Sequence, residues 1–145
     1  MKMKKVLCVL LGLCLLCVFA AGCSNKAEVA DFIDLTALSD TLRIAELVNI
    51  TAAPKLYEGK TIKLGGAYQS QYYQETRQRY HAVLVADAAA CCQQGLEFVW
   101  NGEHNYPGDY PQEGSQIEVT GVFGSYEELG TTYWHLVTNE LVVLG

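Results

Sequence analysis

Beyond Gly59 the apolar residues fall at every second position, and this spacing constrains the fold more than any other feature of the chain. Successive side chains of a strand point to opposite faces, so such alternation marks strands buried on one side. From Thr61 to Tyr68, Ile62, Leu64 and Tyr68 alternate with Thr61, Lys63 and Ala67. Gly65-Gly66 in mid-strand predicts a bulge or a sharp bend. Arg79 to Asp87 reads as a second strand, apolar on both faces, and Leu96 to Trp100 as a short third. Asn101 to Ser115 is a polar, Gly- and Pro-rich connection, in which Pro107-Gly108 has the residue types of a type II turn. Gln116 to Phe123 gives a fourth strand with Ile117, Val119 and Phe123 inward. Thr131 to Val137 and Leu141 to Leu144 give a fifth, with a break expected at Thr138-Asn139.

Five strands, a glycine-kinked first strand and a long third-to-fourth connection predict a mainly β fold, a five-stranded OB-like barrel. Its interior is expected to hold Ile62, Leu64, Val83, Val85, Phe98, Val119 and Phe123. One short helix precedes it. From Ser39, Leu42, Leu47 and Ile50 recur with Ile44 and Val48 at helical spacings. Ser39 or Asp40 is placed to cap this helix, Arg43 and Glu46 read as a surface pair, and Pro54 ends it. Asp31 to Leu35 is too short to assign.

Lys2, Lys4 and Lys5 precede an uncharged run from Val6 to Gly22, the layout of a secretory signal. A run of 17 residues is short of the roughly 20 that a membrane span uses. Phe19-Ala20-Ala21-Gly22-Cys23 resembles the lipobox of bacterial lipoproteins, with Ala20 where Leu is usual. There, cleavage precedes the Cys and its thiol carries diacylglycerol. The expected organisation is a signal peptide at 1–22, a tether at 23–38, and the helix with its barrel at 39–145. The product would be lipidated at Cys23 and held on the extracytoplasmic face of the cell membrane.

Cleavage changes both charge and cysteine arithmetic. Three of the ten basic residues leave and all sixteen acids stay, so seven against sixteen gives a net charge of −9. So acidic a surface repels phosphate backbones, and no nucleic-acid partner is expected. A glycan, a peptide or a membrane protein is the expected partner, besides the membrane reached through the lipid. Cys8, Cys14 and Cys17 lie in the leader, which leaves Cys91 and Cys92 in the folded domain. A thiolate pair suits soft ions, and His81 lies ten residues upstream, yet no Cys-x-x-Cys or His-x-x-x-His spacing accompanies it. The same pair could form a vicinal disulfide that opens and closes, or could simply shape the loop before the third strand.

No enzyme is predicted. Gly-x-Ser-x-Gly and His-Glu-x-x-His are absent, Gly65-Gly66 lacks the Lys-Ser/Thr of a phosphate loop, and Glu127-Glu128 reads as a solvated turn. No cofactor is expected either. The ligand-binding candidates are aromatic: Tyr72 and Tyr73 by the first hairpin, Tyr106 and Tyr110 in the long connection. Tyr80 and Trp100 are expected in the core or plugging a barrel end. His135 shares a strand face with Tyr133 and Val137 and reads as a hydrogen-bonded sheet residue.

The segments Leu56-Tyr57-Glu58-Gly59-Lys60-Thr61-Ile62-Lys63, Ala86-Asp87-Ala88 and Cys91-Cys92-Gln93-Gln94-Gly95-Leu96-Glu97-Phe98 resemble a family of small bacterial lipoproteins that have no assigned activity. Tyr106-Pro107, Tyr110-Pro111, Glu113-Gly114, Ile117-Glu118-Val119, Gly121 and Phe123 continue the likeness, which runs from about Thr41 to the C-terminus. It implies a lipid-tethered OB-like domain that binds a ligand or partner. The Cys91-Cys92 pair keeps open a redox or metal-handling role.

Overall fold

The computed structural model describes residues 30–87, 89 and 92–145. The leader, Cys23, the beginning of the tether and Cys91 lie outside the described residues. In chain order the elements are β1 (Phe32–Asp34), α1 (Asp40–Ala52), a 3-10 turn (Pro54–Leu56), β2 (Thr61–Tyr73), β3 (Gln78–Ala86), β4 (Gln93–Trp100), β5 (Gln116–Glu128) and β6 (Thr131–Val143).

The strands form one sheet in the order β1-β2-β3-β4-β6-β5, and β5 returns to pair with β2. Strands β2 to β6 therefore close into a ring. All the ring pairings are antiparallel except β4 with β6, which is parallel. This is the OB-like barrel expected from the alternation. One strand makes closure possible. Thr61–Ala67 of β2 pairs with β5, and Ala67–Tyr73 pairs with β3. The strand must bend between its halves, and Gly66 lies at that point. A Cβ there would sit 2.3 Å from the Leu84 carbonyl oxygen, so only glycine admits the approach.

All seven residues expected inside are buried, joined by Leu96, Ile117 and Leu136 from the barrel and by Leu35, Leu47 and Ile50 from before it. α1 packs against β3 and β4, with Leu47 and Ile50 buried, while Leu42 and Val48 remain exposed.

Several expectations need correction. Asp31 to Leu35 is not tether: β1 runs parallel to β2 along the edge that β3 does not reach, and Leu35 is fully buried. Arg43 does not pair with Glu46 at the surface. Its guanidinium donates to the carbonyls of Leu35, Leu38 and Gly65 at 2.9, 3.0 and 3.2 Å, and Asp40 is its ion-pair partner. Ser39 is the N-cap but makes no side-chain cap bond. β6 is not broken at Thr138-Asn139. Gly121 pairs with Thr138 and Thr120 with Glu140, so Asn139 is a bulged extra residue. The buried Thr138 hydroxyl lies 2.6 and 2.7 Å from the carbonyl oxygens of Thr120 and Glu140 and accepts from the Glu140 N–H. Pro107-Gly108 is not a type II turn, because Gly108 lacks the positive φ that turn requires, and the Tyr106–Pro107 peptide is cis. β2 and β5 run on to Tyr73 and Glu128, past their last buried residues, since ladder bonds continue without apolar side chains.

Candidate functional site

Two aromatic groups lie on opposite sides of the β3–β4 ladder. Residues with the parity of the core form the first, which fills one barrel end. The Tyr68 phenol meets His81 Nδ1 at 2.6 Å, and the His81 ring stacks on Tyr110 at 4.0 Å between centroids. Trp100 stacks on His104 at 3.7 Å, and the Arg79 guanidinium lies 4.1 Å from the centre of the Tyr106 ring. Burial pushes the Tyr68 phenol up to about 12, so it stays protonated, and the direction of its bond to Nδ1 follows the His81 tautomer. Burial also holds His81 below its ordinary value, with the Arg79 charge as a second cause.

The second group has the opposite parity and faces outward from β3, β4, β5 and β6. Tyr126 donates to both Glu97 oxygens at 3.0 and 3.1 Å, and Tyr80 donates to Glu128 at 2.5 Å. Tyr126 stacks between Tyr133 and His135, at 5.5 and 4.8 Å. Burial, reinforced by the Glu97 charge, raises the Tyr126 phenol; burial and the bond to Glu128 raise Tyr80. Both phenols are therefore permanent donors at physiological pH. His135 Nδ1 is buried without a hydrogen-bond partner among the described residues and lies 3.9 Å from Glu97 Oε1.

These outward residues enclose space. One hollow of about 500 Å³ lies between the β2–β3 turn, with Tyr73 and Glu75, and the β5–β6 hairpin, with Glu128 and Leu129. A second, of about 390 Å³, reaches toward Val99, Trp100 and Tyr110. Tyr80, His81, Glu97 and Tyr126 line both, so the two form one cleft. The hairpin that makes one wall is tight: Leu129 and Gly130 have φ of +49° and +80°, the pattern of a type I′ turn.

The sequence candidates are distributed unevenly. Tyr73 lines the cleft, and Tyr72 is exposed beside Arg79. Tyr110 lines the far hollow with one face covered by His81, while Tyr106 packs under Arg79. Tyr80, expected in the core or at a barrel end, is a cleft wall. Cys92 is exposed in the β3–β4 connection, where its N–H and carbonyl face Asp87. His81 lies five residues up β3 from Ala86, roughly 16 Å of strand away. The two are therefore not one cluster, and among the described residues no group of three His, Cys, Asp or Glu could hold a metal ion. The residues that sequence reasoning missed are Glu97, Tyr126, Glu128 and Tyr133. Their signal was their parity, opposite to that of Phe98, Phe123 and Leu136.

No family model matches the chain, and neither does any curated protein. Among solved structures it is similar to the mitochondrial single-stranded DNA binding protein Rim1 of S. cerevisiae, in two crystal forms. The TM-score is 0.40 and the identity 15% for both, covering 60% of this chain and 94% or 96% of that one. A likeness to the N-terminal domain of PriB from Thermoanaerobacter tencongensis has a TM-score of 0.34, 10% identity, and covers 59% of this chain and 96% of that one. The expectation of no nucleic-acid partner is corrected here, since the neighbours in shape include single-stranded DNA binding proteins.

Proposed function

We propose that this chain is a lipid-anchored extracytoplasmic binding protein, tethered at Cys23, whose ligand seats in the outward cleft of its OB-like barrel. The observation that carries this reading is the place of the cleft. In OB barrels the face of the second and third barrel strands, with the loops joining strands one to two and four to five, takes up ligands. Here those strands are β3 and β4, and those loops are the β2–β3 turn and the β5–β6 hairpin. A concave, aromatic-walled hollow with a few convergent polar groups is the form that small-ligand sites take. The lipobox and the tether that follows it support the address.

The site is tested by screening a fragment library of mixed charge against the full chain in a neutral detergent, read by NMR. Hits should shift the ring signals of Tyr80, Tyr126 and Tyr133. Hits that gather instead at the shallow hollow between Leu56 and Trp134 would reject the cleft as the site.

A further inference from the structure

The cleft has a sign. Glu75, Glu97 and Glu128 line its larger hollow, and among the described residues no Lys or Arg does. Arg79, next to Tyr80 in the chain, borders only the smaller hollow, and its guanidinium donates to Ser70 Oγ at 2.9 Å and covers Tyr106. Glu97 is about four-fifths buried, with 22% of its side chain exposed. A carboxylate so far removed from water calls for hydrogen bonds and an opposite charge. Tyr126 supplies a hydrogen bond but no charge, and Tyr80 does the same for Glu128. His135 does not neutralise it by a hydrogen bond: its buried Nδ1 stands 3.9 Å from Glu97 Oε1 and has no hydrogen-bond partner among the described residues. Around these groups stand the rings of Tyr80 and Tyr133, with Tyr126 stacked between Tyr133 and His135, and cations bind to open tyrosine faces.

Resting on the cleft as the ligand site, we propose that it binds a positively charged nitrogen group, an alkylammonium or a guanidinium. The cation sits between Glu97 and Glu128 against the tyrosine rings. It supplies the charge that the two phenols cannot. Such a group can come from a small amine or from a Lys or Arg side chain of a peptide.

The test is calorimetric titration of the full chain, in neutral detergent, with tetramethylammonium, spermidine and the tripeptide amides Gly-Lys-Gly and Gly-Arg-Gly. Maltotetraose and oligothymidylate serve as uncharged and anionic probes. At least one cationic probe should bind, and the Glu97→Gln/Glu128→Gln double variant should weaken it tenfold or more with its urea midpoint held. Glu128→Gln alone, at the rim, should weaken it several-fold and guards against a folding defect in the double variant. Preference for spermidine or tetramethylammonium assigns a small amine, and preference for a tripeptide assigns a basic peptide. Cation binding undiminished in both variants would overturn the proposal. So would binding of maltotetraose or oligothymidylate alone, lost in Tyr126→Ala, although the cleft would then stand as the site. If no probe binds and no cleft signal moves, both readings fall.

Discussion

Burial of a single ring, His81, with the Arg79 charge beside it, makes stability depend on pH. His81 is held below its ordinary value in the folded chain, so between that lowered value and about 6.5 the unfolded chain binds the extra proton. Its contribution is complete above pH 6.5 and is lost as the pH falls through that window. Urea unfolding should accordingly show a lower midpoint at pH 5 than at pH 8. Replacing His81 by Gln, which keeps both a donor and an acceptor for the Tyr68 phenol, should flatten that part of the profile. An unchanged slope in the variant would place the proton elsewhere. Little of this was legible beforehand. Alternation placed His81 on the face of Val83 and Val85, but a one-dimensional pattern cannot show that Tyr110 folds back from the long connection to cover it. Arg43 is a similar case. Its spacing from Glu46 suggested a surface pair, and only the position of β1 reveals carbonyls waiting for a donor. Arg43→Met should cost about 2–3 kcal/mol, because it leaves buried carbonyls without that charged donor. A loss within ~0.5 kcal/mol, as for ordinary surface changes, would show those bonds to be replaceable by water.

At the scale of elements, burial on one side writes itself into sequence, and the interior of the barrel was readable for that reason. Phe98 and Phe123 are fully buried on β4 and β5. Either change to Ala should cost about 3–5 kcal/mol in denaturant unfolding, whereas Val122→Ala, exposed on β5, should stay within ~0.5 kcal/mol. Equal small losses at all three would mean that the registers are wrong. Strand ends and the small strand β1 were not readable, because pairing there satisfies backbone groups and buries almost nothing. The Asn139 bulge is hidden for another reason: Thr138 is a polar residue turned inward, and its hydroxyl is satisfied by the Thr120 carbonyl of β5 and by the Glu140 carbonyl and N–H of β6. Gly66 was the exception. A glycine pair inside an apolar run announced the bend, and Gly66→Ala should destabilise the barrel by about 1–3 kcal/mol through its contact with the Leu84 carbonyl.

For the whole molecule, closure is what brings the cleft together. Glu97 faces His135 across the parallel β4–β6 pairing, and Tyr80 of β3 reaches Glu128 of β5 although those strands are not neighbours. Sequence reasoning picked tyrosines near hairpins and so found Tyr73. It passed over the tyrosines and glutamates that only the ring order assembles. At this scale the proposed lipid at Cys23 has its own test. Cys23→Ala should abolish palmitate labelling of the chain and leave a precursor of higher mass, and normal labelling of that variant would reject the assignment.

Under the proposed lipid anchor, the entry of the chain into the fold has a consequence for its bearing toward a bilayer. Asp31 is pinned by its carbonyl to the Thr61 N–H at 2.9 Å and by its carboxylate to Lys60 at 2.6 Å. That places the root of the tether at the first residue of β2, while the cleft draws on Gln69, Gln71 and Tyr73 at the far end of the same strand. About 40 Å of strand contour separates the two. A lipid at Cys23 would stand at most about 28 Å of extended chain from Asp31. With its root toward the bilayer, the barrel would stand upright and open its cleft outward, within reach of what diffuses past the cell and away from what is embedded beneath it.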